Sequence, residues 1–171
     1  MKILMLTPYL PYPLLSGGQI RSYNLLKNLA NKHRITLVSL IKHDGEKKFI
    51  KNIEAYCHKV VVSKRPEKPW TLKNIVKTGF GKHPFLVVRN YSPEAKAAVI
   101  EELAKEKFDL IHAETFYVMP HLPDTRVPIL LVEQTIEYLV YQHFVDTLNW
   151  IFLRPVLRLD VSKIRYWEEY Y

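Results

Sequence analysis

Along the chain, short apolar runs alternate with stretches in which apolar residues recur every three or four positions. Ile3–Leu6 is unbroken by any polar residue, as a strand buried on both faces requires. Ile35–Ile41, Val60–Val62, Leu110–Ala113 and Ile129–Val132 repeat the theme and predict four further strands. Between them, the helical period places Ile20, Tyr23, Leu26, Leu29 and Ala30 on one face of a helix over 19–31. Phe49, Ile50 and Ile53 make the apolar stripe of a second helix, over 46–56. Ser92-Pro93-Glu94 offers an N-cap, a proline at the first helical position and an acid in the first turn, so a helix runs from there to Lys107. Shorter helices are predicted over 72–78, ended by Gly79, Gly81 and Pro84, and over 136–144. The last stretch, 150–171, reads as a helix whose apolar residues at 153, 156, 157 and 164 suit core packing.

This alternation predicts an α/β domain of the Rossmann-like, three-layer α/β/α kind, with a mainly parallel sheet. In such sheets ligands bind beyond the carboxyl ends of the strands. The chemistry is therefore to be sought in Thr7–Gly18, Glu114–Met119 and Glu133–Glu137.

Composition narrows the picture. With 171 residues, 48% of them hydrophobic, the chain suffices for one domain with a substantial core. Its apolar runs fall far short of the ~20 residues of a membrane span, and its first residues lack the features of a secretory signal. A lone cysteine, Cys57, excludes an internal disulfide and a cysteine-based zinc site, and fits a reducing, cytoplasmic location. The net charge is +8, with lysines crowded between positions 42 and 82. Solvated helix faces account for them; the functional alternative is peripheral contact with an anionic membrane at its inner face. Nucleic acid is disfavoured, because the aromatic residues do not interleave with the basic ones.

The first loop carries three prolines and delivers the pair Gly17-Gly18 to a helix start. It is neither the G-x-G-x-x-G turn of dinucleotide-binding domains nor a P-loop. Two glycines at a helix N-terminus let backbone amides approach a phosphate, and a plain turn before a helix is the other reading.

The order of strand, proline-rich loop, Gly17-Gly18 and a helix ending Leu25-Leu26-Lys27-Asn28-Leu29-Ala30 resembles the N-terminal domain of family 4 glycosyltransferases. Phe108-Asp109-Leu110-Ile111-His112-Ala113-Glu114 resembles that family's F-D-hydrophobic-hydrophobic-H-x-[HE] strand, and Val132-Glu133-Gln134-Thr135-Ile136-Glu137-Tyr138 its H-N-hydrophobic-E segment. Pro84–Pro93 resembles a connector in a bacterial and archaeal subset. The likeness spans nearly the whole chain in order. It implies one half of a GT-B fold: residues 1–171 as the acceptor-side domain of a retaining transferase, ending before its last strand, with the donor-binding C-terminal domain absent. The substrates implied are a nucleotide sugar and a glycan, lipid-linked or small-molecule acceptor, with no cofactor and no metal.

By the same resemblance Gly17 and Gly18 approach the donor diphosphate, where main-chain amides stabilise charge on the leaving group. Glu114 is the candidate catalytic residue, standing where many members have histidine. Tyr9, Arg21, Gln134, Thr135 and Glu137 are candidates for sugar or acceptor binding, Gln134-Thr135 replacing the family's His-Asn pair. His112 reads as a packed core histidine, Glu133 as a strand-end charge, and Tyr12 as loop packing. A fragment inactive alone is the first expectation. The competing one is a non-catalytic Rossmann-like module that binds an anionic ligand or a membrane surface.

Overall fold

The computed structural model describes all residues, Met1–Tyr171. Five strands, β1 (Lys2–Thr7), β2 (Arg34–Ile41), β3 (Lys59–Lys64), β4 (Leu110–Glu114) and β5 (Ile129–Val132), form one sheet in the order β3-β2-β1-β4-β5. Every pairing is parallel, so the sheet is wholly rather than mainly so. Parallel strands need crossovers, and the intervening helices cover both faces to give the three-layer Rossmann-like α/β/α arrangement.

Alternation along the strands sorts the core. On one face Ile3, Met5, Ile35, Leu37 and Ile41 pack with Leu26 of α1 (Gly17–Leu29) and Ile53 of α2 (Lys51–Glu54). On the other, Leu4, Leu6, Val38, Ile111 and Ala113 pack with Val99 of α5 (Pro93–Lys105). Two shorter helices precede α5: α3 (Leu72–Phe80) and α4 (Phe85–Asn90). A third cluster joins Leu86 and Val87 of α4, Phe116, and Ile164 and Trp167 of α7 (Arg154–Tyr170). The remaining helix, α6 (Glu137–Thr147), lies against α7.

Three elements differ from expectation. The helix expected over 46–56 is a 3-10 helix, Asp44–Phe49, followed by the single turn of α2. Its apolar stripe survives, with Ile53 buried and Phe49 and Ile50 half-covered. The Glu46 side chain accepts from the Lys42 and His43 amides and fixes the tight start. Helix α4 was not expected. Phe85, Leu86, Val87 and Val88 are all buried, so they show no amphipathic period, and Asp160 of α7 caps the Phe85 amide from a distance of 75 residues (2.9 Å). In α7 the buried face is Val161, Ile164 and Trp167, whereas Val156 and Leu153 are exposed.

Candidate functional site

Strand alternation turns His112 and Glu114 away from the face of Ile111 and Ala113, toward the side that α1 covers. There Glu114 ends β4 with its side chain fully buried. Arg21, one turn into α1, directs Nη1 to both of its oxygens at 2.7 Å. His112 Nε2 lies 2.7 Å from Oε1, and Gln134 Nε2, just past β5, donates to Oε2 at 2.7 Å and to the Tyr9 hydroxyl at 3.2 Å. A carboxylate has about four lone-pair positions, and these contacts engage them all. Burial alone would raise the Glu114 carboxyl; the hydrogen bonds from His112, Arg21 and Gln134 outweigh it and hold it below the ordinary value.

The two glycines of the Gly17-Gly18 pair have different surroundings. A Cβ at Gly17 would meet nothing within 4 Å, but one at Gly18 would lie 2.0 Å from the Tyr9 hydroxyl and 2.8 Å from Gln134 Oε1. Gly18 is thus the floor on which Tyr9 and Gln134 meet. Ser16 caps α1 by accepting from the Gln19 amide, and the Gly17 and Gly18 amides donate to no side chain. Free first-turn amides carry the partial positive charge of the helix end. Burial raises the Tyr9 phenol further, so it serves as a neutral donor and acceptor.

The turn after β4 is strained. Thr115 has φ 78°, rare for a β-branched residue, and its hydroxyl is buried without a partner. Strain of this kind costs ~1–3 kcal/mol and persists only when neighbours over-determine it. Here the Thr115 amide donates to Val132 O (2.8 Å), and the Phe116 amide donates to Glu133 Oε1. Glu133 Oε2 is buried without a partner. Burial, reinforced by Glu168, Glu137 and Glu114, pushes the Glu133 carboxyl up to about 8.

The structure therefore brings Tyr9, Gly18, Arg21, Glu114 and Gln134 into one network at the carboxyl ends of β1, β4 and β5. Gly17 sits at its open rim. Thr135 is exposed, with no side-chain bond to the network. The Glu137 carboxylate makes no hydrogen bond to the network: its amide donates to Glu168 Oε1 (2.8 Å), and burial and then Glu168 raise its carboxyl. Tyr12 packs on Tyr23 and Phe49, and Cys57 is a half-buried thiol that desolvation pushes up to about 12. Sequence reasoning missed Glu133 as more than a strand-end charge. Its one legible signal was a carboxylate at a strand's carboxyl end, and the rest depends on Phe116 and Glu168. His112 also proves to be a member of the network as well as a packed residue.

No family model, curated protein or solved structure matches the chain. No helix is long and apolar enough to cross a membrane.

Proposed function

We propose that this domain is the acceptor-side half of a retaining glycosyltransferase of the GT-B, family 4 kind, which moves a sugar from a nucleotide-sugar donor to a glycan, lipid-linked or small-molecule acceptor. The observation that carries the reading is the junction of two features at one sheet end. A hydroxyl-binding set, Tyr9, Arg21 and Gln134, is organised by the buried Glu114, and it borders the free amides at the start of α1. Polar groups of fixed geometry suit sugar hydroxyls, and the helix start suits the leaving diphosphate. In this reading Arg21, 41% exposed, and Gln134 meet the sugar, and a hydroxyl reaching Glu114 takes the place of Gln134 Nε2. The Gly17 and Gly18 amides stabilise the charge on the departing phosphate, so these steps need no metal from this domain. The order of sequence motifs supports the same assignment.

A second reading is favoured by one fact, the complete engagement of Glu114 by donors. A non-catalytic module would keep Glu114 as a fixed anchor and hold an anionic ligand between Arg21 and the α1 amides. Saturation-transfer NMR of the chain with nucleotide sugars tests both. Transfer to sugar-ring protons above that to the nucleobase, with weak affinity and loss in Arg21→Ala, is expected for the acceptor half. Transfer confined to an anionic group, with inorganic phosphate competing fully, selects the binding module. Low-micromolar affinity centred on the nucleobase would sink the acceptor-side assignment.

A further inference from the structure

Helix α3 is inside out. The side it turns to the protein is polar, with Asn74 buried and Thr78 half-buried one turn apart. Asn74 is held by a bond from its side chain to Pro69 O (2.9 Å) and by the Thr71 cap on its own amide (3.2 Å). The outer side carries Leu72, Ile75, Val76 and Phe80, spread over an arc of about 140° at 3.6 residues per turn. Phe80 is 93% exposed and Leu72 77%. A helix that only packs on a domain shows the reverse distribution.

A second apolar stretch adjoins the first. Lys163 of α7 donates to the carbonyls of Thr78 (2.6 Å) and Gly81 (2.8 Å), the residues bracketing Phe80. Leu159 and Val156 lie one and two turns before Lys163 on the same side of α7, both exposed, and the preceding Trp150, Ile151 and Phe152 are exposed as well. Large exposed apolar side chains gathered on two elements tied together in this way mark an interaction site. Its charge indicates the partner. From Lys68 to Pro93 there is no acidic residue but there are Lys68, Lys73, Lys77 and Lys82, and from Thr147 to Leu159 there is again none, against Arg154 and Arg158, the latter paired with Asp146 (3.0 Å).

We infer that this face docks on an anionic lipid bilayer, with α3 lying in the interface, its apolar side among the acyl chains and its lysines at the headgroups. Basic amphipathic helices with Trp and Phe on the apolar side bind in this way. The lysines complement anionic headgroups; a second copy of this chain, carrying the same positive charge, would be repelled. The inference is independent of the transferase assignment and stands or falls separately from it.

The test is co-sedimentation of the chain with vesicles of phosphatidylglycerol mixed with phosphatidylcholine, and with vesicles of phosphatidylcholine alone. Binding to the anionic vesicles is expected, weakened by salt, with each of Lys73→Gln and Lys77→Gln lowering the partition coefficient roughly fivefold. Phe80→Ser combined with Phe152→Ser should abolish binding and leave the melting temperature unchanged, since both side chains are exposed. In the unmutated chain, brominated lipids should quench part of the tryptophan fluorescence, because Trp150 belongs to the face and Trp167 is buried. Three results would overturn the inference: a chain that stays in the supernatant, equal binding to neutral vesicles that is insensitive to the lysine changes, or a dimer in sedimentation velocity that Phe80→Ser dissociates.

Discussion

Two carboxylates at neighbouring strand ends are pushed in opposite directions by what surrounds them. Glu114 is surrounded by donors and stays ionised, whereas Glu133 has one amide, one orphan oxygen and three acidic neighbours. A carboxyl raised in the folded state stabilises the fold below its unfolded value and loses that contribution as pH rises through its folded one. For Glu133 the window runs from 4.5 to about 8. Glu133→Gln should therefore flatten the fall in thermal midpoint across this window and leave the variant more stable than the parent on the alkaline side. Melting curves at stepped pH check this, and parallel profiles for the two proteins would show that Glu133 is ionised and harmless. Glu114 has the opposite sign: its contribution is present above its unfolded value and is lost as the pH falls through its depressed folded one. The position of Glu114 at a strand's carboxyl end was legible. Its ion pair with Arg21 was not, because the two are 93 residues apart and only the parallel sheet brings them together.

Among the elements, those with a clean period were legible and those buried on every side were not. The five strands were foreseen within a few residues, as was α5, whose Ser92 caps the Ala95 amide (3.2 Å) as its sequence promised. Helix α4 escaped because its four consecutive apolar residues, Phe85 to Val88, are all buried and show no period. The start of α1 offers a direct comparison. Gly17→Ala adds a methyl to open space and removes backbone freedom from the unfolded chain, so stability should hold or rise by ~0.4–1 kcal/mol. Gly18→Ala must displace the Tyr9 ring and Gln134, at ~1–3 kcal/mol for overpacking. Chemical denaturation of both variants measures the difference. Equal effects would mean that Tyr9 moves aside freely and that the close approach at Gly18 has no consequence.

Across the whole molecule, stability is unevenly distributed. Strand β1 sits at the sheet centre between β2 and β4, with Leu4, Met5 and Leu6 almost inaccessible. Helix α7 acts as a clasp at the carboxyl-end side: Asp160 caps α4, Lys163 and Trp167 Nε1 hold the carbonyls of 78, 81 and 82, and Glu168 caps α6. Every one of these bonds joins residues at least 30 positions apart, so none was readable from local pattern. Helix α3 leans on this clasp, because the side chains it turns inward, Asn74 and Thr78, are polar. Amides of Leu4, Met5 and Leu6 should exchange with solvent only by global unfolding, whereas those of α3 should exchange through a local opening of far lower free energy. Removing the clasp by Lys163→Met should lower α3 protection further and leave β1 protection governed by the global stability alone. Native-state hydrogen exchange resolves the two regions. Protection of α3 equal to that of β1 would mean that the helix is part of the cooperative core and that its outward apolar side is covered in solution.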